Sequence, residues 1–302
     1  MADPYYTPNR RELIDRILID LRSGKYEKND VAVKHLIHFF EAARNPFSYV
    51  IWLLFTAPFL KQEELLELTD LGNPEWNEIF YPLMIETEKL PFPGLVAPLV
   101  NELTRQLGEG AIDHVLQLGS GPMEIERQVI ENLKSETKDV HFVGIDLSPI
   151  AHATARKNLE SAGIEVREVN NADLLKKLLS EKPSKTCVTL YLGDGVRLLE
   201  TLQFTERHLL FHSLFRHHLT SDQKKSLDSI IHDRNIPTIE YDGFRSWISR
   251  VLASLGTWGN PIFLNSAVIS HCRYDSRGLT YIRLSRPRFY FPSGGYLAFW
   301  NN

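Results

Sequence analysis

Cysteine is scarce in this chain, and no apolar run is long enough to cross a bilayer. Cys187 and Cys272 are too few for a disulfide framework and lack the spacing of a metal site, so we expect a reduced, cytoplasmic setting. The most apolar segment, FSYVIWLLFTAPFL (47–60), contains Pro58 and falls short of the roughly 20 residues that a membrane span needs. It predicts a buried core helix in a soluble protein. The N-terminal stretch MADPYYTPNRREL lacks the apolar core of a secretory signal.

An excess of positive charge is also missing. The 302 residues include 34 Lys and Arg against 38 Asp and Glu, a formal net charge of −4. This balance gives no general attraction to phosphate backbones, so we expect neither a nucleic-acid nor a membrane partner. The length suits one large domain or two smaller ones.

The first part of the chain carries a helical pattern. Within residues 9–23, apolar side chains recur at helical spacing: Leu13, Ile14, Ile17, Leu18 and Leu21. Nothing before about residue 90 alternates as a strand would, and the Pro-rich stretch PFPGLVAP (91–98) predicts a bend ahead of one more helix. Residues 1–110 are therefore predicted to form an all-helical N-terminal domain.

From residue 113 the pattern changes to alternating strands and helices. The predicted strands are HVLQLG, VHFVGID, IEVREVN, CVTLYLG and PTIEY. Ser148, Pro149 and Gly163 are typical start and stop residues for one of the intervening helices. The stretch between CVTLYLG and about residue 233 is predicted to be helical, and strands including GGYLAFW end the chain. This order predicts a doubly wound parallel sheet with an antiparallel edge in residues 111–302.

The turn GSGP follows the first predicted strand. Gly119 and Gly121 let the backbone turn sharply and let a ligand approach the next helix closely. A dinucleotide fingerprint needs a third glycine where Glu124 stands, and a carboxylate at a helix start is a poor neighbour for a pyrophosphate. The turn is therefore predicted to bind a ligand without phosphates.

Acidic residues end the next two predicted strands. Asp146 lies 25 residues after Gly121, at a strand end where a carboxylate can accept both hydroxyls of a ribose. The alternative is that Asp146 only caps the next helix, although Ser148 already fills that position. Asp173 ends the third strand, where it could contact an adenine.

Together, the stretches HVLQLGSGP, FVGIDLSPIAHATARKNLESAGIEV and NNADLL resemble the first three motifs of the class I S-adenosylmethionine-dependent methyltransferases. The resemblance covers about residues 111–242. It implies an α/β fold with the family's doubly wound, seven-stranded sheet, whose last strand is antiparallel, and S-adenosylmethionine as cofactor. The chain departs from the family at Gln117, where many members have an acid, and at Met123, where many have a glycine.

The resemblance also assigns cofactor contacts. The methionine part would be lined by Gly119, Ser120 and Gly121. The ribose would be held by Asp146, the adenine ring would pack on Leu147, and its amino edge would meet Ala172 and Asp173.

Two alignments with the family's fourth strand remain open. In the first, CVTLYLGDG is that strand, and Asp194 is the candidate catalytic residue in contact with the substrate; a simple turn aspartate is the alternative. In the second, the fourth strand lies within RHLLFHSLFRHHLTSDQKKSLDSII (207–231), CVTLYLG becomes the third strand, and Asp194 rather than Asp173 meets the adenine. Strand counting favours the first, because the second leaves EVREVNNADLLKKLL as an unexplained extra unit.

The remaining candidates would surround the substrate. The spacings of His208, His212, His217 and His218 are compatible with a helix face, but no carboxylate or cysteine completes a metal site, so none is predicted. His218 is expected to border the substrate. Tyr5 and Tyr6 precede the first helix, on a segment that could fold over a pocket as a lid and exclude water.

The predicted function is methyl transfer from S-adenosylmethionine to a small-molecule acceptor. One alternative uses the same cofactor to transfer an aminocarboxypropyl group, as in nicotianamine-synthase-like enzymes, which also have a helical domain before a GSGP turn. The other is a non-catalytic module that binds the cofactor or an interaction partner.

Overall fold

The structure is a computed structural model, and it describes part of the chain. The described residues are 10–23, several positions between 34 and 51, 93–109, 112–134, 138–243, 288–290 and 295–300. The chain divides into two compact units, one of Met1–Leu90 with Arg245–Asp275 and one of Pro91–Phe244 with Ser276–Asn302. This division differs from the predicted boundary at residue 110, because the helix that ends at Glu109 contributes to the core of the second unit.

The first unit contains helix α1 (Arg10–Arg22), where the helical spacing predicts it. Its buried face consists of Ile14, Ile17, Leu18 and Leu21. Arg22 pairs with Glu41, and Arg44 pairs with Asp15 at 2.5 Å, so ion pairs connect α1 to the residues next to the buried Phe40. The other helices predicted before residue 90 lie mostly outside the described residues.

The second unit is built on one sheet with eight described strands. They are β1 (His114–Leu118), β2 (His141–Asp146), β3 (Val166–Val169), β4 (Cys187–Leu192), β5 (His208–Ser213), β6 (Thr238–Gly243), β7 (Arg288–Tyr290) and β8 (Gly295–Trp300). Their order across the sheet is β3-β4-β2-β1-β5-β6-β8-β7. Strands β1 to β6 pair in parallel, whereas β8 is antiparallel to both β6 and β7. All residues of β1 and β2 are buried, as expected for strands covered on both faces.

Helices cover both faces of this sheet. One face packs against α2 (Pro93–Glu109), α3 (Glu124–Leu133) and α4 (Pro149–Ser161), and the other against α5 (Ala172–Ser180), α6 (Gly195–Thr201) and α7 (Ser221–Asp233). Helix α4 begins as predicted, because the Ser148 hydroxyl accepts a hydrogen bond from the N–H of Ala151. The predicted bend over 91–98 is helical from Pro93 onward. Pro93 begins the helix, where a proline loses no hydrogen bond, and the helix continues past Pro98 in its second turn. Among the described residues, no helix has the length and apolar character to cross a membrane.

The favoured alignment with the family's fourth strand is wrong. Strand β4, which contains CVTLYL, lies beside β2, with Leu192 opposite Asp146. The strand beside β1 is β5, which falls in the stretch predicted to be helical, and its His208 lies opposite His114. In the doubly wound order 3-2-1-4-5-6, the third strand lies beside the second and the fourth beside the first. The structure therefore has the second alignment, in which CVTLYLG takes the position of the third strand.

The extra strand and helix that the second alignment leaves over are present in the structure. They are β3 and α5, and β3 lies at the edge of the sheet, paired with β4. Helix α4 covers one face on the way from β2 to β3, and α5 covers the other on the way back to β4. The described sheet consequently has eight strands rather than the seven predicted.

Candidate functional site

The carboxyl ends of four adjacent strands form the candidate site. The chain leaves β1 and β2 for helices on one face of the sheet, and leaves β4 and β5 for helices on the other. Crevices in doubly wound sheets open where neighbouring strands send their connections to opposite faces. Such crevices lie here between β1 and β5 and between β2 and β4.

The glycine turn after β1 needs its first glycine. Gly119 has a φ of 61° and Gly121 a φ of 51°, in the left-handed region that favours glycine. A Cβ atom on Gly119 would lie only 2.5 Å from Cδ2 of Phe215, the second residue after β5. The turn therefore packs directly on the loop that follows β5.

Met123 adopts a glycine-like conformation without being glycine. Its φ of 53° and ψ of 35° are left-handed, and it precedes α3 without capping it through its side chain. The side chain is buried, and its Sδ lies against Gly144, because a Cβ atom on Gly144 would come within 2.6 Å of it. Many members of the resembled family have a third glycine at this position. Met123 keeps the left-handed backbone conformation there and adds a buried side chain to the core.

Asp146 connects two loops of the site. Its Oδ2 accepts a hydrogen bond from the N–H of Gly121 at 2.9 Å, and its Oδ1 accepts one from the N–H of Ser148 at 2.8 Å. The side chain is buried. Burial raises the pKa of Asp146, whereas the N–H groups of Ser148 and Gly121 act in the opposite direction. Each carboxylate oxygen has a second lone pair with which it can accept a further hydrogen bond.

Two buried acceptors near the turn have no hydrogen-bond partner. They are Oε1 of Gln117 and Oγ of Ser120, both on residues about 3% exposed. Gln117 lies opposite Gly144 in the β1–β2 register, and a Cβ atom on Gly144 would lie 3.0 Å from the Ser120 oxygen. Buried polar atoms are normally hydrogen-bonded, so these oxygens fit a ligand that brings donors to the turn.

Apolar side chains and one carboxylate lie at the ends of β2 and β4. Leu147 is 52% exposed and Leu192 is 45% exposed, although both are large and apolar. Asp194 caps α6, with Oδ1 accepting hydrogen bonds from the N–H groups of Val196 and Arg197. Its Oδ2 lies 3.6 Å from Nε of the exposed Arg197. A flat, partly apolar ligand could pack on the two leucines beside this carboxylate.

The structure does not bring Ala172 and Asp173 to the ends of β2 and β4, where Leu147, Leu192 and Asp194 lie. Both lie in the first turn of α5, which follows the edge strand β3, and β4 separates that strand from β2. Asn171 rather than Asp173 caps the helix. The Asp173 side chain is 86% exposed and pairs with Lys176 at 3.1 Å.

A histidine and an aspartate pair at the carboxyl ends of β5 and β6. His217 lies in a short 3-10 turn after β5, and its Nδ1 is 2.9 Å from Oδ1 of Asp242. Its backbone N–H donates to Oδ2 of the same carboxylate at 3.1 Å, and both side chains are buried. The His218 ring lies against the His217 ring, with centroids 4.1 Å apart. Tyr5 and Tyr6 lie outside the described residues.

The sequence did not reveal Asp242, because 25 residues separate it from His217. It missed Glu126 as well, which lies in the first turn of α3. This residue is 1% exposed, and neither carboxyl oxygen has a hydrogen-bond partner. Burial raises the pKa of Glu126 to about 8. Helical periodicity could have indicated Glu126, because it places this glutamate on the buried face of the helix.

The other histidines do not share a helix face. His208 and His212 lie at opposite ends of strand β5. At the amino end of the sheet, His208 stacks on His114 with ring centroids 5.0 Å apart, and Nδ1 of His114 lies 3.2 Å from Nδ1 of His141. In the part of the chain that the structure describes, no three His, Cys, Asp or Glu side chains form a group that could hold a metal ion.

Comparison with known proteins gives structural neighbours only. No protein-family model matches the sequence, and the comparison with curated proteins gives no match. The plantazolicin methyltransferase BamL, solved with a triazolic desmethylPZN analog and SAH, is 13% identical over 74% of this chain and 72% of its own, with a TM-score of 0.48. The mitomycin 7-O-methyltransferase MmcR is 12% identical over 96% of this chain and 82% of its own, with a TM-score of 0.47.

A third neighbour is the SAH-bound methyltransferase PaMTH1 of Podospora anserina. It is 13% identical over 98% of this chain and 99% of its own, with a TM-score of 0.40. These structural neighbours are methyltransferases. At such identities and TM-scores, function has to be inferred from this chain's own residues.

Proposed function

We propose that the second unit binds S-adenosylmethionine and transfers its methyl group to a small-molecule acceptor. The observation that carries the proposal is the hydrogen bond between Asp146 and Gly121, which places a carboxylate at the end of β2 against the glycine turn after β1. Adenosyl ligands in doubly wound sheets bind at such strand ends, with the acidic residue on the ribose. The sequence resemblance to class I methyltransferases supports the same ligand.

The residues of the turn fit the methionine part of this cofactor. Gly119 and Gly121 keep the backbone free of side chains where a ligand must approach closely. The unpartnered oxygens of Gln117 and Ser120 would accept hydrogen bonds from an ammonium group. When bound, the cofactor supplies an electrophilic methyl group on a sulfonium.

The ends of β2 and β4 fit the adenosine part. Asp146 would accept the ribose hydroxyls, and the exposed Leu147 and Leu192 would pack on the adenine ring. Asp194 follows β4, beside β2, and would accept a hydrogen bond from the adenine amino group. We thus propose adenine binding for Asp194 in place of the catalytic role that the favoured alignment predicted. Adenine binding is the role that the same alignment predicted for Asp173.

The His217–Asp242 pair would handle the proton of the acceptor. With its hydrogen on Nδ1, which faces the Asp242 carboxylate, a neutral His217 ring would present the lone pair of Nε2. A neutral imidazole held in this tautomer can take the proton of a hydroxyl or amine as that group attacks the methyl carbon. We therefore infer an acceptor with an O–H or N–H group.

Product mass tests the proposed reaction. The protein is incubated with S-adenosylmethionine and a panel of small phenols, carboxylic acids and amines, and products are analysed by mass spectrometry. A gain of one methylene unit is expected. An aminocarboxypropyl product, or no binding of S-adenosylhomocysteine in a calorimetric titration, would contradict the proposal.

Matched histidine variants test the proton acceptor. His217→Asn should lower turnover at least about 100-fold, the usual contribution of a general base, and leave S-adenosylhomocysteine affinity within about twofold. His232→Asn, at an exposed position of α7, serves as the control. Equal turnover in the two variants would remove His217 from the reaction.

A further inference from the structure

Two consecutive residues after β5 face two carboxylates on β6. Arg216 and His217 form the start of the 3-10 turn, and Glu240 and Asp242 are two residues apart on β6, so their side chains point to the same face of the sheet. His217 contacts Asp242 through Nδ1 and through its backbone N–H. Arg216 Nε lies 4.0 Å from Oε1 of Glu240, and both of these side chains are at least nine-tenths buried.

Arg216 is also held from the helix that covers this face. Its two terminal nitrogens donate to the two carboxylate oxygens of Asp228 on α7, at 2.5 and 2.7 Å. A two-point contact of this kind fixes the orientation of a guanidinium as well as its position. Arg216 thus connects α7, through Asp228, with β6, through Glu240.

A buried histidine, His212, also lies beside Glu240. The His212 ring is fully buried opposite Glu240, and its Nε2 lies 3.8 Å from Oε2 of that residue. Both ring nitrogens lack a hydrogen-bond partner. Burial, and secondly the charge of Arg216, lower the pKa of His212 to about 3, so this ring is neutral. The His212 ring therefore brings no positive charge to Glu240, whereas the Arg216 guanidinium lies 4.0 Å from it.

We propose that Arg216 is a positioning residue, which fixes the turn after β5 so that His217 keeps Asp242 as its partner. Two hydrogen bonds from Asp228 hold the guanidinium of the residue immediately before His217, and Glu240 lies 4.0 Å from its Nε on the other side. Loss of the two hydrogen bonds to Asp228 would loosen the turn, and the imidazole would be held less firmly against Asp242. The catalytic part of this proposal rests on the proposed methyl transfer, whereas the structural part does not.

The test uses Asp228, because this residue is 40% exposed and its substitution should not prevent folding. Asp228→Asn keeps the shape of the side chain and removes its charge, and Asp228→Glu restores the carboxylate. Asp222→Asn is the matched control, since Asp222 lies on the same helix and is 94% exposed. Arg216→Lys tests the guanidinium itself, because an ammonium cannot make the two-point contact.

Kinetics give the first readout. Asp228→Asn and Arg216→Lys should lower kcat at least fivefold and shift the acid limb of its pH profile, with the KM for S-adenosylmethionine changed less than twofold. Asp228→Glu should recover most of the loss, and Asp222→Asn should match the wild type. Wild-type kcat and pH profile in both Asp228→Asn and Arg216→Lys would overturn the proposal.

Nitrogen NMR of the histidine rings gives a readout independent of methyl transfer. The His217 signals are assigned by their loss in His217→Asn. In the wild type and Asp222→Asn, the ring nitrogens should report a single tautomer with hydrogen on Nδ1, whereas Asp228→Asn should show a mixture. Identical spectra in Asp228→Asn and Asp222→Asn would refute the positioning role even if no acceptor were methylated.

Discussion

The carboxylate of Asp146 accepts a hydrogen bond from the backbone N–H of Gly121 across 2.9 Å, and so joins the end of β2 to the turn after β1. Its second oxygen takes the N–H of Ser148, at the start of α4. One buried side chain therefore organises both loops against which we place the adenosyl group. Conservative variants are needed here, because truncation would disturb the loops and the ligand together.

Gly119→Ala should reduce both stability and cofactor affinity. The added methyl group would lie 2.5 Å from the Phe215 ring, and the backbone φ of 61° is strained for any residue with a Cβ atom. We expect a loss of about 2–3 kcal/mol in the free energy of unfolding, measured by urea denaturation. S-adenosylhomocysteine affinity should fall at least tenfold.

Gly163→Ala is the control for backbone strain alone. Gly163 has a φ of 72°, but nothing lies within 4 Å of an added Cβ atom. This variant should lose about 1 kcal/mol and keep its ligand affinity. Equal effects of the two substitutions would show that contact with Phe215 does not shape the turn.

At Met123, which precedes α3, glycine should be tolerated better than alanine. Both changes remove a buried side chain, which costs roughly 2–5 kcal/mol. Because the backbone is left-handed there, with a φ of 53°, Met123→Gly should be about 1 kcal/mol more stable than Met123→Ala. Thermal unfolding of the two variants measures the difference, and a more stable alanine variant would contradict the left-handed conformation.

Glu126 should make the protein less stable as pH rises. Its pKa of about 8 exceeds the ordinary value of 4.5, so between these pH values the unfolded chain loses a proton that the folded chain keeps. Folding stability contributed by this group therefore falls by up to roughly 1.4 kcal/mol per pH unit over that range. In Glu126→Gln this dependence should be absent, which denaturation at pH 5 and pH 8 would test. Equal pH dependence in both proteins would contradict the pKa of about 8.

The buried histidines His114 and His141, at the amino end of the sheet, should instead make the protein less stable as pH falls. Burial, with a neighbouring histidine as the second cause, lowers the pKa of both His114 and His141 to about 4. Between pH 6.5 and 4 the unfolded chain binds protons that the folded chain excludes, so stability falls on acidification. His114→Asn should reduce the slope of unfolding free energy near pH 5 by about 1.4 kcal/mol per pH unit. An unchanged slope would argue against a neutral, buried His114.

The sequence predicts several local features of the site correctly, and physical reasons explain why. Gly119 follows an apolar run, and Ser148 with Pro149 starts a helix, so neighbouring residues alone determine these features. The side-by-side order of the strands is not a local property. Whether β3 or β4 lies beside β2 depends on pairing across the sheet, and strand counting chose the wrong one.

Other parts of the site depend on contacts that the sequence does not display. The stretch of β5 was predicted to be helical in the favoured alignment because the apolar residues of HLLFHSLF also fit helical spacing. Asp242 becomes a partner of His217 only when β5 and β6 pair. Asp173 looked equivalent to Asp194 because each follows a strand, but β3 lies at the sheet edge and β4 lies beside β2.

The most direct test is calorimetric titration of the wild type and three single aspartate-to-asparagine variants with S-adenosylhomocysteine. The wild type should bind one equivalent. Affinity should fall at least tenfold, about 1.4 kcal/mol, in Asp146→Asn and in Asp194→Asn, where asparagine still caps α6. It should be unchanged in Asp173→Asn. A wild type that does not bind, or an Asp173→Asn variant weakened as much as Asp146→Asn, would contradict the adenosyl site proposed at the ends of β1, β2 and β4.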